Sequence, residues 1–229
     1  MIKDPPLLTI HRNFARPAPE HIAAFTNVAT GHAVDALGGR GALDYRIKPL
    51  IPMRAVMVGT AITCHCGPAD NLALFAALAA AEAGDVLVAA TDSSRVTSIS
   101  GDLLMGMARN RGIAGLITDG LVRDLAGILA VGLPVYCTGL SPNSPARNGP
   151  GSAGLPVVIG GVTIASGDLI VADNDGVVAI PGGEIEKMIE QLAEVRKAEA
   201  SLEAKVKAGL EVPDFIQKIL ASERVREVF

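Results

Sequence analysis

Two carboxylates and one guanidinium stand at the predicted starts of two helices. Twenty residues separate Asp102 from the adjacent pair Arg123 and Asp124. Carboxylates bind hard cations such as Mg²⁺ and Mn²⁺, and Mg²⁺ usually takes only one or two carboxylates from a protein and keeps several waters. A guanidinium binds a planar carboxylate through two parallel hydrogen bonds. These residue types therefore predict a site for a divalent metal and an anionic ligand.

Two corners between a strand and a helix position these side chains. The first is predicted from a strand at Asp85 to Ala90, a polar loop from Thr91 to Ser100 and a helix from Gly101 to about Arg111. The second follows an apolar strand at Gly115 to Ile117, and a helical pattern begins at Leu121. Because ligands of open α/β sheets bind where strands end, we expect both corners to face one cavity.

Backbone groups add to this predicted site. Residues Gly101 to Leu104 form the first turn of a predicted helix, where N–H groups lack a partner within the helix and can bind a carboxylate or phosphate. The pair Arg123 and Asp124 has a simpler alternative explanation, a solvated helix start at which the helix dipole favours Asp. The residues alone leave both explanations open.

Composition narrows the classes of function. The 229 residues are 49% hydrophobic, so the chain can bury the core of one large domain or two small ones. A net charge of −4 offers no basic surface for nucleic acid. Cys64, Cys66 and Cys137 cannot all pair, which favours a reduced setting. Without a signal peptide pattern or an apolar run of roughly 18 residues, we expect a soluble cytoplasmic protein that does not bind membranes.

Helices and strands alternate through the amino-terminal part of the chain. Apolar runs predict the strands, and Ala-rich or amphipathic stretches predict the helices. This alternation predicts the βαβα core of an α/β protein. The remaining predicted elements of this part are helices at Pro19 to Val28, Thr30 to Leu37, Asp70 to Ala83 and Arg123 to Val131, and strands at Ala55 to Cys64 and Pro134 to Cys137.

The carboxyl-terminal part differs in composition and in its pattern of apolar residues. Gly139 to Gly154 is rich in Ser, Pro, Asn and Gly and predicts a long loop. Apolar residues at helical spacing then predict a long helix over residues 184–208, which we expect to project and pack on a neighbouring subunit. Between the loop and this helix, short strands are predicted at Pro156 to Gly161, Val162 to Ile164, Asp168 to Asp173 and Gly176 to Ile180.

Familiar catalytic motifs are weak or absent. Gly149 to Gly154 matches GxGxxG but leads into a strand, so it does not indicate dinucleotide binding. In Cys64-His65-Cys66, strand geometry turns His65 away from both cysteines, which favours core packing over a metal site. The sequence has no Walker A, GxSxG or HExxH motif, and no lysine lies in the apolar surroundings of a Schiff-base nucleophile.

Several separated segments together resemble one family. The stretch from Gly112 to Asp124 is similar to the signature of the 4-hydroxy-4-methyl-2-oxoglutarate aldolase family. Its superfamily includes the regulator of ribonuclease activity A and proteins long mislabelled as demethylmenaquinone methyltransferases. The resemblance covers roughly Ala23 to Gly209 and includes Asp70-Asn71-Leu72, Gly84-Asp85-Val86, Pro156 to Gly161, Gly167-Asp168 and Asp173 to Val178.

This resemblance implies the architecture and the metal site. It implies one domain over residues 1–229, a layered α/β/β/α sandwich of the swivelling β/β/α type, assembled as homotrimers or homohexamers with active sites between subunits. Asp124 would bind Mg²⁺ or Mn²⁺, partly through waters, and Arg123 would bind the pyruvyl oxygens. Asp102 would order the catalytic water. Glu199 of a neighbouring subunit would assist proton transfer, although it also fits an ordinary exposed helix glutamate.

The resemblance also implies the reaction of a class II pyruvate aldolase. The substrate would be a 4-hydroxy-2-oxo acid of the 4-hydroxy-4-methyl-2-oxoglutarate or 4-carboxy-4-hydroxy-2-oxoadipate type, with its carboxylate on the N–H groups of Leu103 and Leu104. Loss of the C4 hydroxyl proton breaks the C3–C4 bond, and the electrons are held as an enolate that water protonates to pyruvate. Oxaloacetate decarboxylation passes through the same enolate, so we expect that activity too.

One departure from the family's pattern bears on the substrate, and the presence of Asp124 bears on the class of protein. Phe75 stands where many relatives carry histidine, and Arg147 is a candidate contact for a second carboxylate. The alternative function is a non-catalytic regulator that binds a ribonuclease or another protein. The ribonuclease regulators typically lack the aspartate that corresponds to Asp124, so its presence here favours an enzyme.

Overall fold

A mixed β-sheet runs through the centre of the protein, whose computed structural model describes residues 4–228. In those residues the strands are β1 (Leu8–Ile10), β2 (Lys48–Pro49), β3 (Met57–His65), β4 (Asp85–Ala90), β5 (Ser98–Ser100), β6 (Gly115–Thr118), β7 (Leu121–Val122), β8 (Val135–Cys137), β9 (Gly151–Ala153), β10 (Val157–Ile159), β11 (Val162–Ile164), β12 (Leu169–Ala172) and β13 (Val177–Ile180). The α-helices are α1 (Pro19–Ala24), α2 (Thr30–Ala36), α3 (Leu72–Ala80), α4 (Asp102–Asn110), α5 (Leu125–Val131), α6 (Ile185–Lys207) and α7 (Asp214–Leu220).

Four parallel strands form the middle of the sheet, in the order β3, β4, β6 and β8. Strand β2 pairs with β8 in the antiparallel sense at one edge. On the other side β3 has two antiparallel partners, β12 along Met57 to Thr60 and β9 at Cys64 and His65. Strand β13 continues the sheet from β12, and β1 continues it from β9. The parallel strands are almost entirely apolar because both of their faces are covered.

Alternate residues of the strands face different layers of the protein. Leu87 and Ala89 of β4 belong to the core that α3, α4 and α5 cover, whereas Val86 and Val88 face the β10–β11 hairpin and the β12–β13 pair. Leu169 of β12 points further out, into a third core beneath α1, α2 and α6. The layers follow the order helix, sheet, sheet, helix. The predicted α/β fold with a long carboxyl-terminal helix is confirmed.

The prediction of a helix from Leu121 is wrong. Leu121 and Val122 form β7, which pairs in parallel with β5. That partner strand lies at the end of the segment predicted as a loop, Thr91 to Ser100. Because strand formation depends on tertiary partners, pairing with β5 outweighs the local helical pattern. The helix α5 begins only at Leu125, so Arg123 and Asp124 lie in the turn between β7 and α5.

The long loop predicted from Gly139 to Gly154 also needs correction. Its last residues form β9, which is held between β1 and the end of β3. Three residues of Gly, Ser and Ala give no periodic apolar signal, and β1 is equally short. Helix α3 begins two residues later than predicted, at Leu72, since the side chain of Asp70 accepts the N–H of Leu72 instead of continuing the helix.

The carboxyl-terminal helix α6 changes character along its length. Its first half is anchored in the core by Ile185, Met188 and Leu192. From residue 196 to residue 209 every side chain is exposed. The predicted contact of this helix with a neighbouring subunit stays a prediction. Among the helices of residues 4–228, none combines the length and the apolar composition that a membrane span requires.

Asp173 ties the second β layer to helix α2. Its carboxylate accepts the N–H of Thr30 at 2.8 Å, the hydroxyl of Thr30 at 2.7 Å and the N–H of Asp175 at 2.9 Å. Helix α2 has no capping side chain of its own, so Asp173 caps it from a distant part of the sequence. Burial raises the pKa of Asp173, but the hydrogen bonds from Thr30, Asp175 and Gly176 outweigh burial and hold the pKa below its ordinary value of 3.8.

This network predicts a pH-dependent contribution to stability. At pH 7 we expect Asp173→Asn to lower the free energy of unfolding by about 1 to 3 kcal/mol, because hydrogen bonds to a charged acceptor are lost. A group with a depressed pKa stabilises the fold above its unfolded pKa and loses that effect as the pH falls through its folded value. The difference in unfolding free energy between the wild type and Asp173→Asn should therefore become smaller below pH 3.8. Denaturant unfolding across pH tests this, with Asp175→Asn as a control for charge, and a pH-independent gap would contradict it.

Candidate functional site

A cavity of about 130 Å³ lies between the amino ends of α4 and α5. The structure brings six of the seven predicted site residues to its walls, from two separate corners of the sheet. Its other sides are closed by β5, by Asn71 and Phe75 at the start of α3, and by Pro145 and Arg147 of the loop after β8. The six residues are Gly101, Asp102, Leu103, Leu104, Arg123 and Asp124.

Asp124 adopts an unusual backbone conformation. Its φ of +58° and ψ of +45° place it in the left-handed region, which most residues with a side chain avoid and Asp and Asn tolerate best. The side chain is 40% exposed, and its Oδ2 accepts a hydrogen bond from Arg123 Nε at 3.1 Å. Such backbone conformations cost energy and cluster at functional sites. The left-handed turn therefore singles out Asp124 within its corner.

Two glycines allow the starts of α4 and α5 to approach closely. A Cβ added at Gly101 would lie well inside van der Waals contact with Asp124 Oδ2. A Cβ at Gly127, in the first turn of α5, would lie 2.5 Å from the Cβ and from Oδ2 of Asp102. Any larger residue at either position would displace one of the two carboxylates. The glycines thus form a cradle that sets where both carboxylates lie.

The first turn of α4 differs in detail from the prediction. Leu103 and Leu104 were expected to offer free N–H groups, but the N–H of Leu103 donates to Asp102 Oδ1 at 2.7 Å. The side chain of Leu103 is 78% exposed, whereas that of Leu104 is buried in the core under α4. The N–H of Leu103, one of the two groups predicted to bind an anion, is therefore already hydrogen-bonded to Asp102.

The loop after β8 holds Arg123 in place. Arg123 Nη1 donates to the hydroxyl of Ser144, while its Nε donates to Asp124. These contacts fix the guanidinium across the mouth of the cavity, with the side chain 35% exposed. Sequence reasoning did not single out Ser144. A polar loop of Ser, Pro and Asn carries no periodic signal, so only the fold shows which of its serines meets Arg123.

The same loop is clamped to the start of α3 by Asp70. Asp70 Oδ2 accepts the N–H groups of Asn148 at 2.6 Å and Gly149 at 3.1 Å. Backbone hydrogen bonds add to the clamp, from Ala146 to the carbonyl of Ala69 and back from Asn71. The aspartate of the Asp70-Asn71-Leu72 motif thus has a structural role, because it holds the loop against the cavity.

Glu199 is the predicted residue that this cavity does not include. It lies on α6, with a side chain 58% exposed, and its carboxylate contacts Nε2 of His32 on α2. Sequence reasoning missed His32, whose partner is far away along the chain. The predicted role of Glu199 in a neighbouring subunit stays a prediction.

The described residues hold no preformed metal cage. Within residues 4–228 no group of three or more His, Cys, Asp or Glu side chains converges. The thiols of Cys64 and Cys66 are buried 3.9 Å apart, and contact with Cys66 together with burial raises the pKa of Cys64. His65 points away and contacts Asp92 at 2.9 Å, which agrees with core packing of the cysteines. A cation in the cavity would depend on one or two carboxylates.

Size does not select the functional cavity. A larger one, of about 310 Å³, lies between α5 and the segment from Leu50 to Ala55. Among the described residues that line this cavity Arg54 is the only ionisable one, so they include no acid, base or nucleophile. The 130 Å³ cavity combines two carboxylates with two guanidinium groups. A third cavity, of about 110 Å³, also has two of each, but both oxygens of its Asp44 and Asp119 already accept hydrogen bonds. In residues 4–228 Asp102 and Asp124 each accept through one oxygen alone, so we assign the functional site to their cavity.

Comparison with known proteins identifies the family. The chain matches the RraA-like family, described as Aldolase/RraA, over residues 29–179. It is also 37% identical over 189 residues to a protein of Halalkalibacterium halodurans named "Putative 4-hydroxy-4-methyl-2-oxoglutarate aldolase", across 82% of this chain and 88% of that one. The chain belongs to the RraA-like family. The predicted resemblance is therefore confirmed.

Solved structures of RraA-like proteins share the fold. RraAS2 of Streptomyces coelicolor, described as an unusual member of the RNase ES inhibitor RraA protein family, is 29% identical with a TM-score of 0.74, over 83% of this chain and 99% of that one. An uncharacterised protein of Pseudomonas syringae is 24% identical with a TM-score of 0.77, over 86% of this chain and 93% of that one, which shows the fold alone. Because the named relatives include an aldolase and an inhibitor, the RraA-like fold does not choose between them.

The glycine cradle makes a direct prediction about packing. We expect Gly101→Ala to lower the free energy of unfolding by about 1 to 3 kcal/mol, because the new methyl group overlaps the carboxylate of Asp124. Gly106→Ala, inside the helix that Gly101 precedes, is the control, since nothing lies within 4 Å of its added Cβ. That control should be neutral or stabilising by up to about 1 kcal/mol.

Thermal and denaturant unfolding check both variants. The double variant Gly101→Ala with Asp124→Gly should recover most of the loss, since the overlapping carboxylate is gone. Equal stability of Gly101→Ala and Gly106→Ala would show that the two helix starts are not closely packed.

Proposed function

We propose that this protein is a divalent-metal-dependent lyase, a class II pyruvate aldolase that cleaves 4-hydroxy-2-oxo acids to pyruvate and also decarboxylates oxaloacetate. The observation that carries the proposal is the left-handed Asp124 beside Gly101, which presents a carboxylate to a cavity that Arg123 also lines. The RraA-like family and the name of the H. halodurans relative support it.

The carboxylates fit a hard divalent cation with few protein ligands. Asp124 would hold Mg²⁺ or Mn²⁺, with waters and substrate oxygens as the other ligands, as is common for Mg²⁺. The cradle at Gly101 leaves space for this carboxylate that any Cβ would fill. When bound, the cation supplies Lewis acidity that polarises the 2-oxo group and stabilises negative charge as the C3–C4 bond breaks.

The other residues of the cavity bind and orient the substrate. Arg123, fixed by Ser144, would bind the pyruvyl oxygens, and the N–H groups of Leu103 and Leu104 would hold the carboxylate. For Leu103 this requires the hydrogen bond from its N–H to Asp102 Oδ1 to break. The carboxylate of Asp102 would then be free to order the water that takes the C4 hydroxyl proton and returns a proton to C3 of the enolate.

The complete site would lie between subunits. We propose a homotrimer or homohexamer in which the exposed second half of α6 brings Glu199 to a neighbouring cavity. There Glu199 would assist proton transfer as a catalytic residue. His32 of the same subunit contacts the Glu199 carboxylate and would orient it. A cytoplasmic location fits the three free cysteines of the described chain.

A non-catalytic regulator is the second candidate. The likeness to RraAS2, from a family described as inhibitors of RNase ES, favours it. Such a protein would bind a ribonuclease or another protein through its surface and would need no metal. The two carboxylates and the strained turn at Asp124 would then have no use, so we favour the enzyme.

Pyruvate release tests the proposed activity. We expect pyruvate from 4-hydroxy-4-methyl-2-oxoglutarate and from oxaloacetate in the presence of Mg²⁺ or Mn²⁺, and none above background with EDTA. Coupled lactate dehydrogenase assays measure both rates, with enzyme-free metal as the control for spontaneous decarboxylation. Release that persists unchanged in EDTA would reject metal dependence, and no release from either substrate would favour the regulator.

The variant Asp124→Asn removes the carboxylate but keeps a residue that can adopt the same left-handed turn. Asn tolerates the left-handed conformation as well as Asp does, so we expect normal folding with turnover at least about 100-fold lower. Asp92 is a matched control, because it is also left-handed with a φ of +56° but does not line the cavity. Asp92→Asn should keep full turnover. Equal rates in the two variants would rule out Asp124 as the metal ligand.

A further inference from the structure

The cavity of about 110 Å³ is a second polar cavity at the edge of the sheet where the parallel strands end. Its walls include residues that directly follow β4, β6 and β8. Ligands of open α/β sheets bind at this edge. Among residues 4–228 it shares no lining residue with the 130 Å³ cavity, so it is a separate place on the protein.

Both carboxylates of this cavity are already hydrogen-bonded. The oxygens of Asp44 accept the backbone N–H of Arg46 at 2.9 Å, its Nε at 2.8 Å and its Nη2 at 2.7 Å. Asp119 is only 4% exposed, and its oxygens accept the N–H and hydroxyl groups of Thr91 and Ser93. Neither carboxylate is therefore available to a cation.

Two guanidinium groups supply donors that have no acceptor. In residues 4–228 the side chain of Arg95 has no ion-pair partner, and Nη1 of Arg46 has no hydrogen-bond acceptor. Hydrogen bonds from Arg46 hold the pKa of Asp44 well below its usual value, and the nearby charge of Arg95 lowers that pKa further. The four charges of the cavity sum to zero, but the unused hydrogen-bonding groups of these side chains are all donors.

The turn of the β10–β11 hairpin adds backbone donors. Gly160 and Gly161 are both left-handed, with φ of +56° and +80°. A Cβ at Gly160 would lie 2.7 Å from the backbone nitrogen of Asp44, so only glycine lets the turn approach so closely. Within the described chain neither glycine N–H donates to another residue. Successive free N–H groups of a turn form a concave site for an anion.

A strained turn carries Arg95 to this cavity. Asp92 and Ser93 are consecutive, and both have a φ of +56°. Residues other than glycine rarely adopt this region, and such strain clusters at functional sites. Asp119 holds the turn, because it accepts the N–H of Thr91 at 2.7 Å and that of Ser93 at 2.8 Å. The backbone before Arg95 is thus fixed, which lowers the entropy lost when a ligand binds.

We propose that the 110 Å³ cavity binds a small tetrahedral oxyanion such as phosphate or sulfate. Its donors, Arg46, Arg95 and the Gly160-Gly161 turn, come from three separate segments, which suits an ion whose oxygens point in several directions. A planar carboxylate offers two oxygens in one plane. The volume fits a small ion, since cavities for drug-sized ligands begin at roughly 300 Å³. This site does not depend on the proposed lyase activity.

Isothermal titration of the intact protein with sodium phosphate, without metal and at constant ionic strength, tests this site. We expect one ion per chain in the wild type. Arg95→Met should weaken its binding by at least about 10-fold, as expected when hydrogen bonds between charged groups are lost. Arg54→Met is the control, because Arg54 is also exposed but does not line this cavity, and it should bind phosphate like the wild type.

Further titrations define the ion and the donor. Sulfate should compete with phosphate, and acetate should bind at least about 10-fold more weakly than phosphate. Arg95→Lys should bind phosphate more tightly than Arg95→Met, because lysine keeps the charge and loses only the planar fork. Acetate binding as tight as phosphate binding would overturn the assignment to a tetrahedral ion.

The variant Arg123→Met locates the bound ion, because Arg123 lines the 130 Å³ cavity. The binding that Arg95→Met removes should persist in Arg123→Met. Loss of phosphate binding in Arg123→Met with retention in Arg95→Met would place the ion in the 130 Å³ cavity and overturn the second site. Absence of binding by the wild type would overturn it as well, whereas pyruvate release tests the lyase separately.

Discussion

The close approach of the first turn of α4 to the turn before α5 is the constraint on which the site depends. Each of these two helix starts carries one carboxylate, and each carboxylate has a glycine of the other helix start beside it. Gly101 makes room for Asp124, and Gly127 makes room for Asp102. Two side chains on separate βα units thereby reach one cavity without a shared loop. The left-handed turn at Asp124 is the strained part of this arrangement, and the α4–α5 packing beneath it provides the compensation.

Seven aspartates of the described chain divide into two groups by what their oxygens contact. One group accepts backbone N–H groups or a partly buried arginine, and it fixes turns and loops. Asp102 and Asp124 differ, because each accepts only from its sequence neighbour, through the N–H of Leu103 and through Arg123 Nε. Their oxygens therefore remain available to a ligand. The structural group comprises Asp70, Asp85, Asp119, Asp168 and Asp173.

The sequence predicted the parts of the fold and site that rest on local patterns. Apolar runs identified β4 and β6, and helical spacing identified α4 and α6 to within about two residues. The pairing of β5 with β7 was not predictable, because two-residue and three-residue strands exist only through their partners. The contacts of Ser144 and His32 were not predictable for the same reason, since each residue contacts a partner that is distant in the sequence. Asp124 was found from its position, but its left-handed turn and its glycine cradle are tertiary features.

Binding of Mn²⁺ to the intact protein tests the central claim most directly, because it requires neither a substrate nor turnover. Electron paramagnetic resonance of free Mn²⁺ gives the number of ions bound by the wild type, Asp124→Asn and Asp92→Asn. We expect one Mn²⁺ per chain in the wild type and in Asp92→Asn, and loss of that ion in Asp124→Asn. Equal binding by all three proteins would contradict the assignment of the metal to Asp124.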